Sequence, residues 1–535
     1  MATAVLVSKK PKEKRSGLSY WMRRVVKEAD RVRADFSADP VHDLRVALRR
    51  CRSMASVLAE VVPIPCWRAI KKASRKLFRR LGELRDTQVM IEWVRTLAPD
   101  SDPPGNQLAG QLLAILAEQE ERRKAAASAA LARFDLRKWG AWAVLLRKHA
   151  SAVRPDGRVA QAVALERLQA AQALHQHAIQ HRSREAWHAL RIGIKRFRYT
   201  VENFLPSRHA EWSEDLKRLQ DLLGEVHDLD ELSRFLGELR PAVKPEERER
   251  WRNLIQIART KRLAEYRAKT GQKGNLWNVW RAGLPEGREL KIAAMARLTT
   301  TAKVLDPDFL ETSAAADSAL RFFDSLAAAE AGPIFRDPSA RRIFHAAALL
   351  RNIGRSSGQR SHHKLAQKIL RSLAPPPGWT PEEMKQLALI VRYHRGSGPK
   401  ETHADFQSLS PDSRERVLWL AGTLRLALAL KKGSRNGASV AQIQKSDGAI
   451  TIYVRGQDPA KHIARLLRKK SLLEWAARRP VRIASRQNGA AQIHSARVSR
   501  GWPGESSEDT PTAAFRWEGR RSPFRGRRRR IFSAL

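Results

Sequence analysis

The sequence has few cysteines, no long apolar run and no secretory leader. Its two cysteines, Cys51 and Cys66, are not in CxxC spacing, which argues against a zinc ribbon, a disulfide framework or a redox role and favours a reducing compartment. No apolar run approaches the roughly 18 residues that a membrane-spanning helix needs. The short N-terminal apolar run precedes its charges, the reverse of a secretory signal. We therefore expect a soluble cytoplasmic protein with no membrane partner.

Acidic residues are also scarce for a chain of 535 residues. Lysine and arginine number 101 against 55 aspartate and glutamate, a formal net charge of +46. The hydrophobic fraction of 42% and charged fraction of 29% are those of a globular protein, so folded domains carry the charge. The length suffices for two or three domains. An excess of this size predicts a polyanionic partner.

Strand patterns are absent from the first half of the chain. From about Ser16 to Trp280, apolar residues recur at three-and-four spacing, which is typical of helices. The Gly-rich and polar segment 266–290 is typical of a linker or terminal extension. Beyond it the pattern is again helical, with strand signals at 448–456 and 479–485. The sequence predicts a mainly α fold with a small strand-containing end.

One basic helix occurs twice. In "HDLRVALRRCR", from His42, an apolar stripe adjoins a face made almost entirely of cations. The segment "HALRIGIKRFR", from His188, repeats the pattern position for position. A second pair, "LGELRDTQVM" from Leu81 and "LGEVHDLDEL" from Leu223, follows in the same order. Two motifs in matching order indicate an internal duplication into two helical bundles related by a pseudo-twofold axis.

The paired motifs resemble the CHAD domain, an α-helical domain built of two similar bundles. The resemblance implies a basic groove that binds inorganic polyphosphate, for which the planar, permanently charged arginine fork is well suited. The halves differ where Asp43 is replaced by Ala189 and Arg85 by His227. Carried over by position, the resemblance assigns to the groove His42, Arg45, Arg49, Arg50, Arg52, His188, Arg191, Lys195, Arg196 and Arg198. Additional candidates on the helices before the LGE segments are Arg75, Lys76, Arg79, Lys217 and Arg218.

The later segments resemble the C-terminal HD-type helical domain of the exopolyphosphatase and guanosine pentaphosphate phosphatase family. The resemblance rests on "FHAAALLRNIG" from Phe344, "LIVRYHRGSGPK" from Leu389, "LALALK" from Leu426 and the segment 471–483. An HD hydrolase needs a histidine, a His-Asp pair and a distant aspartate to hold a metal ion. His345 remains, but Arg351 and Asn352 stand in the pair's place, and Leu428 and Lys431 replace the later acids. We therefore expect no metal, no cofactor and no catalysis.

This second region keeps positive charge in place of the metal ligands. The sequence predicts a second, weaker anion-binding set there, made of His345, Arg351, Arg355, His362, His363, Lys364, Arg392, His394 and Arg395. Each of His362, His363 and His394 taken singly could instead be an ordinary loop or capping residue. The predicted domains are a basic extension at 1–16, the duplicated region at 17–282 with repeats of about 17–150 and 151–282, the HD-like region at 290–485 and a basic disordered tail at 486–535.

The leading hypothesis is a noncatalytic polyphosphate-binding protein associated with polyphosphate granules, with two modules acting on one ligand. A nucleic-acid-binding protein is the first alternative, and the basic tail could contact nucleic acid. Base stacking, however, calls for aromatics among the basic residues, and Phe197 and Tyr199 occur only in the second repeat. A divergent phosphohydrolase is the other alternative, which the replaced HD ligands oppose.

Overall fold

The computed structural model describes most of the chain, and the described residues are mainly helical, which confirms the predicted fold class. The predicted N-terminal extension at 1–16 lies outside them, and so does the predicted disordered tail from residue 495 onward. The first part of that predicted tail is wrong, because residues 486–487 end one strand and residues 490–494 form another. The described residues are 17–98, 107–238, 245–271, 275–355, 361–431, 439–446, 448–455, 459–487 and 490–494. No helix among them is both long and apolar enough to cross a membrane.

The first region contains two series of helices in matching order. The first half consists of α1 (Leu18–Ala34), α2 (Ala38–Val61), α3 (Pro65–Ala73), α4 (Arg75–Leu97), α5 (Gln107–Ala132), α6 (Leu136–Leu145) and α7 (Arg147–Ala150). The second half consists of α8 (Arg158–His181), α9 (Arg184–Phe204), α10 (Pro206–Glu238), α11 (Pro245–Thr270) and α12 (Leu276–Ala282). The repeated basic motif lies on α2 and α9, and the LGE segments lie on α4 and α10.

The apolar stripes of α2 and α9 orient their basic faces. On α2, the predicted core positions Leu44, Leu48 and Cys51 are completely buried. On α9, Ile194 and Phe197 are equally buried. Because α2 and α9 pack against each other and into one hydrophobic core, the remaining face of each helix carries the cations.

The predicted linker at 266–290 is wrong for most of its length. Helix α11 continues to Thr270, and the short helix α12 follows it. Tyr266, Trp277 and Trp280 are almost fully buried in the core of the first region. The Gly and polar residues of this segment predict a loop. Burial of the three aromatic side chains nevertheless favours the helices that contain them.

The second region packs helices around a small sheet. Its helices are α13 (Gly287–Leu305), α14 (Phe309–Ala328), α15 (Pro338–Leu350), α16 (His362–Ser372), α17 (Pro381–Tyr393), α18 (Ala404–Gln407), α19 (Pro411–Lys431), α20 (Pro459–Leu467) and α21 (Ser471–Ala477). A short 3-10 helix, Pro333–Arg336, precedes α15. These elements share a second hydrophobic core.

The sheet has four strands in the order β1, β2, β3 and β4, which are Ser439–Ser446, Ala449–Arg455, Val481–Gln487 and Ala490–His494. Strands β2 and β3 are the two predicted ones, and they pair in parallel with Ile452 opposite Ile483. The outer strands pair antiparallel and were not predicted. Helices α20 and α21 form the crossover that the parallel pair requires.

Helix α13 joins the two regions. The buried Arg297 forms an ion pair with Glu166 of α8, and the Thr301 hydroxyl donates a hydrogen bond to the Val61 carbonyl at 2.6 Å. Leaving either buried group unpaired would be costly, so these contacts favour a fixed arrangement. All described residues accordingly belong to one compact unit.

Candidate functional site

A cleft of about 550 Å³ lies between the two halves of the first region. Helices α2 and α4 contribute one part of its wall, and α9, α10 and α11 contribute the other. We call it the central cleft. Its lining residues are His42, Arg45, Val46, Arg49, Arg85, Val89, Glu92, Trp93, Thr96, Arg191, Lys195, Gln220, Asp221, Gly224, Glu225, Asp228 and Arg262.

Five residues of the predicted groove line this cleft. His42, Arg45 and Arg49 reach it from α2, and Arg191 and Lys195 reach it from α9. The three residues of α2 are the first three basic positions of the repeated motif in the first half. The two residues of α9 are the second and third basic positions of the motif in the second half. The structure thus brings together cations that lie more than a hundred residues apart in the sequence.

In the first half, the motif arginine Arg45 is held by protein groups. Its Nη1 donates to the carbonyls of Leu81 at 3.3 Å and Gly82 at 3.1 Å, and lies 3.9 Å from Oδ1 of Asp86. A Cβ at Gly82 would lie 3.6 Å from that same Nη1. That distance is an ordinary van der Waals contact, so the position would also accept a small side chain.

Arg50 and Arg52 point away from the central cleft and also have protein partners. Arg50 forms an ion pair with Glu202, donates to Asn203 Oδ1 at 3.1 Å and lies over the Trp21 ring. Arg52 donates to the carbonyl of Lys71 at 2.7 Å and to the hydroxyl of Ser74 at 2.9 Å. Neither residue lines the cleft, so the structure assigns both to packing between helices.

The corresponding cations of the second half lack such partners among the described residues. Nε of Arg191 and Nε of Arg198 are buried without a hydrogen-bond partner, and Lys195 has neither a hydrogen bond nor an ion pair. Arg196 is exposed and lies outside the cleft lining. Buried donors without a hydrogen-bond partner cost stability.

Burial and crowding by other cations change the protonation of Lys195. Burial is the main cause that lowers its pKa to about 7, and Arg191, Arg49 and Arg45 lower it further. Burial also lowers the pKa of Arg45 and of Arg191. The central cleft therefore places several cations close together in a partly buried site.

The remaining candidates of the first region lie outside the central cleft. His188 is exposed, and its Nδ1 is 3.3 Å from Nδ1 of His227, which occupies the place of Arg85. Among the additional candidates near the LGE segments, Arg79 pairs with Glu83 and Arg218 pairs with Glu265. The remaining additional candidates are exposed, namely Arg75, Lys76 and Lys217.

Several residues that line the central cleft were not among the candidates from the sequence. Arg85 pairs with Glu92 at 3.0 Å, and Arg262 pairs with Glu225 at 2.8 Å while lying over the Trp93 ring. The LGE segments contain Arg85 and Glu225, so their repetition was a usable signal. Arg262 comes from α11, where no repeated motif marked it.

The acidic residue Asp228 was missed as well. It lines the central cleft, and no described residue forms a hydrogen bond or an ion pair with it. Burial is the main cause that raises its pKa to about 6; Arg191 opposes the shift and Asp86 adds to it. Asp228 is therefore a half-buried carboxyl group among the cations of the cleft.

A second pocket of about 290 Å³ lies in the HD-like region. It contains four of the predicted residues, namely His363, Lys364, Arg392 and Arg395. Burial lowers the pKa of His363 to about 4, with Arg392 as the next cause, so this histidine is neutral near pH 7. The other residues that line this pocket are Tyr393, Ser397, Lys400, Thr402 and His403.

The other candidates of the HD-like region do not line the second pocket. The buried Arg351 donates to the Thr312 carbonyl at 3.2 Å, and Arg355 pairs with Asp308 at 2.8 Å. His394 is buried, hydrogen-bonds through Nδ1 to the Val391 carbonyl at 2.6 Å, and has a pKa lowered by burial to about 3. His345 is half-buried and His362 is buried.

The residues at the HD positions have structural roles in this region. The Asn352 amide donates to the Thr312 hydroxyl at 2.8 Å, and Leu428 packs against the second core. Within the described part of the chain, no group of three or more histidine, cysteine, aspartate or glutamate side chains could hold a metal ion.

Comparison with known families supports both resemblances. Residues 18–237 match the CHAD domain, and residues 296–477 match domain III of the Ppx/GppA phosphatases, so the combination predicted from the sequence is confirmed. The second match concerns domain III alone. Each match covers less than half of the chain. No curated protein matches the sequence.

Among solved structures, the chain is similar to the crystal structure of the CHAD domain from the plant Ricinus communis. The identity is 22%, and the alignment covers 51% of this chain and 90% of the plant chain with a TM-score of 0.33. At that TM-score the likeness implies nothing further about this chain.

Proposed function

We propose that this chain, in which a region matching the CHAD domain precedes one matching domain III of the Ppx/GppA phosphatases, binds inorganic polyphosphate without cleaving it. One observation carries the proposal. Arg49 of α2 and Arg191 and Lys195 of α9 line a single cleft, and no described carboxylate forms an ion pair with any of them. A phosphate chain would supply the missing acceptors along its length.

The surroundings of the aromatic rings favour a phosphate chain over nucleic acid as the ligand. Single-stranded nucleic acid needs open ring faces on which bases stack. Trp93 in the central cleft lies under the guanidinium of Arg262 at 5.0 Å, and the ring of Tyr199 lies under that of Arg49 at 5.4 Å. Because a guanidinium group covers one face of each ring and Trp93 is almost fully buried, the cleft offers charge and little stacking surface.

The second pocket supports binding of the same polymer at two places. Lys364, Arg392 and Arg395 line it together with the hydroxyl groups of Ser397 and Thr402. Two weak contacts on one long chain gain effective concentration, so the combined affinity exceeds that of either pocket. Such a protein would accumulate in the cytoplasm wherever polyphosphate collects, above all on granules, and its basic tail could contact other polyanions, including nucleic acid.

The proposal of a noncatalytic role rests on the chemistry at the HD positions. A metal-assisted hydrolase uses carboxylate and imidazole ligands to hold the ion that activates water. Arg351 and Asn352 cannot supply a carboxylate, and both are already hydrogen-bonded to Thr312. We therefore assign the HD-like region to binding.

A charge-reversal experiment tests the proposal. We expect Arg49→Glu with Lys195→Glu to weaken binding of long-chain polyphosphate by at least about a hundred-fold, since two charge-assisted contacts become repulsive. The matched control is Arg147→Glu with Lys148→Glu, which reverses the same residue types at exposed positions of α7 outside the cleft. Equal losses in the two variants would show that binding is diffuse electrostatics.

Two further measurements separate the alternatives. Across a salt series, long-chain polyphosphate should bind more tightly than duplex DNA at matched charge; tighter DNA binding would favour the nucleic-acid function. Incubation of polyphosphate with the protein and Mg²⁺ or Mn²⁺ should release no orthophosphate. Release that His345→Ala abolishes would establish a phosphohydrolase instead.

A further inference from the structure

The central cleft has an acidic side chain that binding of a simple polyanion does not explain. Asp228 lies on α10 beside Gly224 and Glu225, and all three line the cleft. Glu225 is paired with Arg262, whereas Asp228 has no hydrogen bond or ion pair among the described residues. Its carboxyl group is therefore available to a ligand and would repel a fully ionised phosphate.

The charged groups around Asp228 come from several helices. Arg191 and Lys195 face it from α9, Asp86 from α4 and Glu225 from its own helix. The cleft wall adds Arg45 and Arg49 of α2 and Arg262 of α11. An anion bound by Arg191 and Lys195 would thus lie beside the Asp228 carboxyl group.

The two kinds of phosphate in a linear chain differ in their protons. An internal phosphate has one strongly acidic hydroxyl and is fully ionised at neutral pH. A terminal phosphate has a second ionisation with a pKa of about 6, like that of a phosphate monoester, and retains some of its protons near neutrality. Only a terminal phosphate can therefore share a proton with a carboxylate, in a short charge-assisted O–H···O⁻ hydrogen bond.

We propose that Asp228 is a specificity-determining residue that makes the central cleft prefer the terminal phosphate of a phosphate chain over an internal one. This inference rests on the proposed function. One proton lies between the Asp228 carboxyl and the terminal phosphate, while Arg191 and Lys195 bind the remaining oxygens. The carboxyl disfavours internal phosphates, which bring no proton to share.

Linear tripolyphosphate and cyclic trimetaphosphate provide the probes, because each has three phosphorus atoms but only the linear compound has ends. Calorimetric titration at about pH 6.5 should show that wild-type protein prefers the linear probe. Asp228→Asn should reduce this preference about ten-fold, mainly by tightening binding of the cyclic probe, because the amide donates to any phosphate oxygen.

The matched control is Asp221→Asn, which removes a second half-buried carboxylate from the same helix and the same cleft. It should tighten binding of both probes by a similar factor and keep the preference. The preference of wild-type protein should also decrease at about pH 8.5, where the terminal phosphate is ionised. The same measurement on Lys195→Arg, which stays charged over this pH range, separates the titration of Lys195 from that of the terminal phosphate.

The outcomes distinguish the two proposals. If wild-type protein binds neither probe nor long-chain polyphosphate, the proposed function fails. If it binds phosphates but Asp228→Asn and Asp221→Asn leave the same preference, Asp228 is only a general negative charge and the inference is overturned. Circular dichroism of each variant verifies that the helices are intact.

Discussion

The two halves of the first region carry nearly the same motif and use it differently. In the first half, Arg45, Arg50 and Arg52 bind backbone carbonyls, a carboxylate and a hydroxyl of the protein itself. At the matching positions of the second half, Arg191 and Arg198 each keep a buried Nε without a partner. The duplication preserved residue type, while the surroundings changed what each residue contacts.

The aspartates at matching positions of the two LGE segments also differ in their surroundings. Asp86, in the first LGE segment, is exposed and lies 3.9 Å from Arg45. Its counterpart Asp228 lines the cleft without an ion pair among the described residues. The two copies of the repeat therefore place matching carboxylates in different surroundings, one exposed and one half-buried in the cleft.

The largest expected effect is on binding. Arg191→Gln with Lys195→Gln should weaken polyphosphate binding by about a hundred-fold or more, because each residue supplies a charge-assisted hydrogen bond worth roughly 1.5–3 kcal/mol. Fluorescence anisotropy with labelled polyphosphate measures the loss. The same substitutions at Arg50 and Arg52 should change affinity less than ten-fold. Equal losses of affinity would show that the two pairs of residues do not differ in binding.

The next largest effect is on stability, and it should be greater for the first half than for the second. Arg50→Ala should lower the free energy of unfolding by about 2 kcal/mol, because it leaves Glu202, with 11% of its side chain exposed, unpaired between helices. Arg196→Ala, at the matching exposed position, should change it by less than about 0.5 kcal/mol. Urea denaturation measures both values. A larger loss for Arg196→Ala would contradict the assignment of Arg50 to packing.

A smaller effect concerns pH. The pKa of Lys195 is lowered to about 7, so the free cleft loses one positive charge as the pH rises through that value. A bound anion favours the ammonium form, so binding takes up a proton and affinity should fall several-fold between about pH 6 and pH 8. Long-chain polyphosphate is the suitable ligand because few of its phosphates are terminal. Lys195→Arg should flatten the profile, and an unchanged slope would exclude Lys195 as its origin.

The smallest effect concerns the glycines of the LGE segments. Gly224→Ala should raise the free energy of unfolding by about 0.5–1 kcal/mol, since nothing lies within 4 Å of the added Cβ and alanine is the better helix former. Gly82→Ala should gain a similar amount, because its Cβ would lie 3.6 Å from Nη1 of Arg45, which is an ordinary van der Waals contact. Thermal unfolding compares the two variants. A loss of stability in Gly82→Ala would mean that Arg45 needs the space that the glycine leaves.

Much of the fold could be predicted because it depends on local patterns. The three-and-four spacing of Leu44, Leu48 and Cys51 predicted which face of α2 is buried, and the apolar β-branched residues of β2 and β3 marked those strands. Strand β1 is rich in polar residues and β4 is short, so neither gave a clear signal. The segment around Trp277 and Trp280 was misread because its composition suggested a loop.

The candidate site could be predicted only in part. Repetition identified Arg45, Arg49, Arg191 and Lys195, all of which line the central cleft. It could not identify Arg262, which reaches the cleft from a helix distant in sequence. The binding roles assigned to the motif residues stay predictions.

The sequence by itself determined the helical fold class, the two family resemblances and the excess of positive charge, because these follow from spacing and composition. Tertiary structure alone decided which cations lie free in a cleft and which are held by protein groups. Hydrogen-bond acceptors such as the Gly82 carbonyl and the Glu202 carboxylate come from other helices. Arginines at matching positions of a repeated motif, such as Arg52 and Arg198, can therefore be hydrogen-bonded to protein in one half and keep a buried Nε without a partner among the described residues in the other.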